Sequence, residues 1–297
     1  MSLIINHNLM AMNAARNLGT AFGNLSTSVR RLSSGLRIGS ASDDAAGLAN
    51  RELMRSDIAA LNQGVRNAND AISLIQTADG ALSIIDEKLI RMKELAEQGA
   101  TGTYNSDQRL IIDSEYQAMA SEITRIANST DFNGIYLLNG NLSSSTHDGS
   151  GLVSTGQLKV HFGSLNDSAE DYYYIQINNS TASALGVGTS AATGAAGYSI
   201  STQQGAQQAL QGVKDAIVSK DKIRAGLGST QNRLSNTISN LQIQAENLQA
   251  AESRISDVDV SLEMTQFVRQ QILSQAAVAM LAQANSLPRL AMQLLGG

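Results

Sequence analysis

The sequence predicts a mainly α fold: long antiparallel helices forming a coiled-coil bundle from both chain ends, with a small β-hairpin insert in the middle. The first observation is a matching apolar rhythm at the two ends. Ala11, Ala15, Leu18, Phe22, Leu25, Val29, Leu32 and Leu36 recur at alternating steps of four and three. Leu273, Ala277, Met280, Ala284, Leu287, Leu290 and Leu294 do the same near the other end. That spacing lays one seam along a helix, and a seam needs a partner. The second observation is composition: aromatic residues are only 4 %, there is no Trp, and the one Pro is Pro288. Apolar bulk from Leu, Ile, Val, Met and Ala suits helix seams better than a broad aromatic core. The third is a Ser/Thr/Gly/Ala-rich stretch from Leu142 to about Gly197, far from both ends.

Each element follows in order. After the first helix, Ser33-Ser34-Gly35 and Gly39 to Asp44 are turn and N-cap residues that break the chain direction. Ile58, Leu61, Val65, Ala68, Ile72, Ile75, Ala78, Leu82, Ile85, Leu89, Met92 and Ala96 then mark a second helix from Ala45 to Gln98, a rod of roughly 80 Å at 1.5 Å per residue. Gly99 to Thr103 ends it, and Asn105-Ser106-Asp107 caps a third helix striped by Ile112, Tyr116, Met119, Ile123 and Ile126. Asp131-Phe132-Asn133-Gly134 and Asn139-Gly140-Asn141 are turns. Val160-His161-Phe162 and Tyr172 to Ile177 read as short strands, the remainder of the insert as loops and small hairpins. Helical pattern resumes near Thr202, and Leu227, Gln231, Leu234, Ile238, Leu241, Ala245, Leu248, Glu252 and Ile255 hold an unbroken heptad register. Gly226 and Gly228 weaken that helix upstream by about 1 kcal/mol each. Ser256 to Asp259 form a second joint, and a last helix runs to Leu295, with Pro288 able to kink it.

The expected organisation pairs first with last helix and inner with inner. Residues 1–42 and 256–297 make a terminal helical domain. Residues 43–141 and 201–255 make a rod-like helical domain that carries a β/loop insert at 142–200. Residues 1–40 hold Arg16, Arg30, Arg31 and Arg37 and no acid, while the last helix opens with Asp257, Asp259 and Glu263. Antiparallel pairing places Arg30, Arg31 and Arg37 beside that acidic start, where acids also suit a helix N-terminus.

The search for chemistry excludes more than it finds. There is no Cys, so no disulfide, thiolate metal site or Cys nucleophile. A net charge of −5 argues against nucleic acid as partner, and no apolar run approaches a membrane span. His7, His147 and His161 are not at ligand spacing, so no metal site is read. Asp43-Asp44 reads as helix capping at a joint, not as a metal pair. Gly186-Val187-Gly188-Thr189-Ser190-Ala191 fits a loose dinucleotide fingerprint but sits in low-complexity sequence without a βαβ context. The sequons Asn128-Ser129-Thr130 and Asn141-Leu142-Ser143 decide nothing. The start of the chain, Met1 to His7, has neither basic region nor cleavage site, so any export is expected without a cleaved signal peptide. The reading is a non-enzyme with no cofactor, whose chemistry is association.

Ile5-Asn6-His7-Asn8 with Ala11, Ala14 and Asn17-Leu18 is similar to the start of bacterial flagellins. Leu32 to Ile38 leading into Ser40-Ala41-Ser42-Asp43-Asp44-Ala45-Ala46-Gly47-Leu48-Ala49 resembles that family's most distinctive segment. So do Asp131-Phe132-Asn133-Gly134, Ala251-Glu252-Ser253-Arg254-Ile255 and Ala279-Met280-Leu281-Ala282-Gln283-Ala284-Asn285. The resemblance covers about the first 140 and last 95 residues, and the short middle implies a short form without large outer domains.

The resemblance implies an extracellular subunit that polymerises into the flagellar filament for swimming motility. Implied partners are other copies of itself, an export chaperone at the C-terminal helix, and filament cap and junction proteins. It also implies recognition of the monomer by Toll-like receptor 5, which in that family uses an Arg and a Leu on one helix and a Glu on the next; the matching positions are Arg91, Leu95 and Glu115. The assembly seam is expected at Leu18, Phe22, Leu25, Val29, Leu32, Leu36, Leu273, Met280, Leu287, Leu290 and Leu294. A hook–filament junction protein is the nearest alternative, and a cytoplasmic coiled-coil signalling or adaptor rod is an alternative of another class.

Overall fold

The computed structural model describes residues 8–151, 155–167, 170–189 and 197–295, with side chains up to residue 286. The helices are α1 (Leu9–Ser34), α2 (Ala45–Ala100), α3 (Ser106–Ser129), the short α4 (Ala182–Leu185), α5 (Gln203–Ser256) and α6 (Val260–Leu295). Between α3 and α4 lie three antiparallel strand pairs: β1 (Asp131–Phe132) with β2 (Ile135–Tyr136), β3 (His147–Asp148) with β4 (Thr155–Gly156), and β5 (Leu158–His161) with β6 (Tyr172–Ile175). The mainly α fold with helices packed from both chain ends is therefore observed. Two compact units divide the chain, one of residues 1–58 with 246–297 and one of residues 59–245.

In the first unit α1 packs on α6. Asn8 serves both helices: its side-chain oxygen accepts the Ala11 N–H, and its amide donates 2.8 Å to the Ala284 carbonyl of α6. After α1 ends at Gly35, the two joints are clipped together. Leu36 pairs with Asp257, the Arg37 N–H donates to the Ser256 carbonyl at 2.7 Å, and the Val258 N–H returns to the Gly35 carbonyl. The Arg37 guanidinium donates twice to the Ile255 carbonyl. The Ile255 and Ser256 carbonyls belong to the last turn of α5, which no intrahelical donor can reach. Asp44 caps α2 by accepting the Gly47 N–H. Buried Arg51 donates to the Ile38 carbonyl at 2.8 Å and lies 3.7 Å from Glu252 on α5.

The second unit has a closed core. The α2 stripe (Leu61, Ala68, Ile75, Ala78, Leu82, Ile85, Leu89, Met92, Ala96) and the α5 stripe (Leu227, Leu234, Leu241, Ala245) are buried as expected. Asp79 pairs with Arg224 and Asp86 with Lys220, so α2 and α5 run antiparallel. Gly226 and Gly228 do not interrupt α5, because Leu227 between them is buried in the seam. Asn105 and Gln108 form a reciprocal capping box on α3. Tyr116 of α3 is fully buried, and its hydroxyl donates 2.7 Å to the Gly197 carbonyl. Burial pushes that phenol above its ordinary range.

The insert does more than the sequence suggests. Asn133 (φ 51°) and Gly134 (φ 80°) form the two-residue turn between β1 and β2, both positions demanding positive φ as in a type I′ hairpin. β6 ends at Ile175 and not at Ile177, whose N–H goes instead to the Leu142 carbonyl. Val160, Phe162, Ile175, Ile177, Leu185 and Ile200 all enter the core. The insert also touches α2 directly: Asn67 donates to the His161 carbonyl, and a Cβ at Gly64 would stand 2.0 Å from the Phe162 carbonyl oxygen. Only glycine allows this approach.

Candidate assembly surface

Among the described residues there is no cluster of three or more His, Asp or Glu side chains able to hold a metal ion. No described helix is long and apolar enough to cross a membrane. What stands out is the α1–α6 pair. A lone pair of helices can cover one narrow stripe on each, and the sequence gives each helix a broader one.

The structure splits the expected seam. On α1, Leu18, Leu25 and Leu32 are half-buried, as is Leu36 in the joint that follows. The close contact is made by small residues seven apart, Ala14, Ala21 and Ser28, the last two buried. Phe22 and Val29, expected on the seam, are 52 % and 48 % exposed. On α6 the contact passes through Ser274, Ala277, Leu281 and Ala284, while Leu273 (49 %) and Met280 (62 %) stay outside. Small residues win the contact because they let the backbones approach, which leaves the larger flanking side chains in water. The side chains of Leu287, Leu290 and Leu294 lie outside the described residues.

The two flanks of the pair differ. On one, a groove of about 790 Å³ runs between the helices. Met10, Asn17 and Asn24 line it from α1, and Leu273, Met280 and Gln283 from α6. At 100° per residue, Phe22 and Val29 project from α1 on the opposite flank to Asn17 and Asn24. Charge is pinned at one end of the pair. Glu263 accepts from the buried Ser28 hydroxyl and lies 3.6 Å from Arg31. Arg37 also lies beside the acidic start, next to the Leu36–Asp257 bridge and holding the Ile255 carbonyl, whereas Arg30 turns away to Asp43 at 2.7 Å. The hydroxyl of Ser40, then the Gly39 N–H and Arg30, keep the Asp43 carboxyl below the usual carboxylate range. Arg30 is thus taken by a local partner, while Arg31 and Arg37 stay beside the start of α6.

In the second unit, Arg91 and Glu115 meet across α2 and α3 at 2.8 Å, with both side chains nearly half exposed, and Arg91 also holds Glu94. Those two carboxylates raise the Arg91 pKa further, Glu115 first. Leu95 does not join them: it is 2 % exposed and belongs to the core. A leucine four residues after Arg91 turns toward the α2 seam because Leu89, Met92 and Ala96 already set that face. Sequence reading missed Lys220, which is almost completely buried with its ammonium 2.6 Å from Asp86 and 2.7 Å from Asp221. Its place on the seam, seven before Leu227, was the available signal.

The profile of the bacterial flagellin N-terminal helical region matches residues 5–143, and that of the C-terminal helical region matches residues 210–295. A flagellin of Halalkalibacterium halodurans is 42 % identical over 99 % of this chain and 100 % of its own length. The flagellar filament 33 kDa core protein of Treponema phagedenis is 40 % identical with the same coverage. Among solved structures, a putative flagellar hook-associated protein of Vibrio parahaemolyticus shares the fold, with TM-score 0.55 over 72 % of this chain and all of that one, at 14 % identity.

Proposed function

We propose, from the premise that this chain belongs to the bacterial flagellin family, that it is a structural subunit polymerising into the flagellar filament for swimming motility. The observation that carries the reading is the inequality of the two flanks of the α1–α6 pair: a groove holding Leu273 and Met280 on one, Phe22 and Val29 standing out on the other. A surface whose two sides differ makes head-to-tail contacts, and such contacts produce an open helical polymer unless the rotation closes. Each large apolar side chain withdrawn from water contributes about 1.5–3 kcal/mol, so the half-exposed residues gain in a polymer what the isolated pair cannot give them. The full-length similarity to a filament core protein and a flagellin supports the filament over the hook–filament junction. A cytoplasmic adaptor rod accounts for neither the family nor the open flank.

In this reading the subunit leaves the cell without a cleaved signal peptide, a chaperone covers α6 until export, and cap and junction proteins bound the growing filament. Purified protein, concentrated and salted, grows long filaments under the electron microscope; a stable dimer that never elongates overturns the reading. Arg91 and Glu115 also give the monomer an exposed charged pair for Toll-like receptor 5. Because an exposed ion pair is worth about 1 kcal/mol or less, Arg91→Ala with Glu115→Ala leaves folding nearly unchanged while receptor signalling falls. Unchanged signalling removes the receptor from the reading. Leu95, being buried, supports this surface from beneath.

A further inference from the structure

Among the methionines whose side chains are described, those on α1 and α6 are exposed, and those on α2 and α3 are not. Met10, Met12, Met264 and Met280 are 53 %, 58 %, 43 % and 62 % exposed, and all four stand on α1 or α6. Met92 on α2 has no exposed surface, and Met54 and Met119 are half-buried. Two of the exposed four, Met10 and Met280, line the same groove from opposite helices, among Ala14, Ala21, Ala277 and Ala284. A thioether in an alanine-lined groove is a flexible apolar contact that adapts to whatever covers it.

We propose that Met10 and Met280 are oxidation sites, and that their conversion to sulfoxide by a peroxide prevents the groove from being covered by a second copy. The effect on assembly rests on the filament reading above; the order of oxidation does not. In the chemical step the thioether sulfur attacks the distal peroxide oxygen. An S–O bond forms as the O–O bond breaks, sulfur loses two electrons, and the peroxide leaves as water. The product replaces an apolar thioether by a strongly hydrated acceptor, and stripping its water under the apolar side chains of a covering subunit opposes association. Once covered by a neighbouring subunit, the same thioethers would be shielded, so sensitivity belongs to the free chain.

The test treats full-length monomer and preformed filaments with hydrogen peroxide and follows each methionine by peptide mass spectrometry. In the monomer, Met10 and Met280 should accumulate sulfoxide at least ~10-fold faster than Met92; equal rates overturn the site. Oxidised monomer should seed and extend filaments markedly more slowly than untreated monomer, and methionine sulfoxide reductase should restore growth. In the volume-conserving pair Met10→Leu and Met280→Leu, the rate of filament growth, whatever its untreated value, should be unchanged by peroxide. Growth of that variant lost to peroxide as fully as in the parent chain overturns the role of these two residues. If untreated protein never forms filaments, the filament reading falls, and the oxidation order is still judged by the monomer spectra.

Discussion

Phe22, Val29, Leu273 and Met280 on the terminal helices keep about half or more of their surface in water, whereas Ile75, Leu82, Ile85, Leu89 and Met92 of the central unit keep almost none. Both regions use apolar residues at three- and four-residue steps. The difference is the number of elements available to cover them. In the central unit α2 is met by α5, and the β insert closes on α2 at Gly64 and Asn67. In the terminal unit α1 has α6 and the clipped joint. A two-helix pair encloses one stripe, and what exceeds that stripe is left for other molecules.

Removing residues 1–40 or 257–297 should abolish filaments in electron micrographs while the helical circular dichroism and cooperative melt of the central unit persist. Loss of the central melt as well would mean that the two regions are not separable in this way. Next in size is the buried ammonium. Asp86→Ala leaves Lys220 buried with Asp221 alone and should destabilise the central unit by about 3 kcal/mol in urea unfolding, whereas Lys220→Met should be neutral or stabilising. A large loss with Lys220→Met would show that the charge itself holds α2 on α5.

The smallest effect concerns pH at the joint. The Asp43 pKa is depressed in the fold, so its contribution is present above the unfolded carboxylate pKa and is lost as pH falls through the folded value. Amides of Gly39 and Ser40, which donate to Asp43, should lose hydrogen-exchange protection only as pH falls below the ordinary carboxylate range. Asp43→Asn should flatten that dependence, and Arg51 with its hold on the Ile38 carbonyl should not change it.

The amino-acid order by itself determined the helices, their caps at Asn105 and Asp44, the Asn133-Gly134 turn and the family, because these rest on local spacing and on long ordered segments. It also laid the α5 heptads on the face that is buried. Tertiary structure alone decided which flank of a broad apolar stripe is covered. Ala14, Ala21 and Ser28 pass inside Phe22 and Val29 because backbone separation, which no single helix specifies, is set by the partner's Ser274, Ala277 and Ala284. The same holds for Leu95, drawn into the core beside an exposed Arg91, and for Lys220, an ammonium on a hydrophobic seam that is tolerable only because Asp86 arrives from another helix. Periodicity tells a helix which side is apolar; the neighbour's shape and charge determine how much of that side is buried.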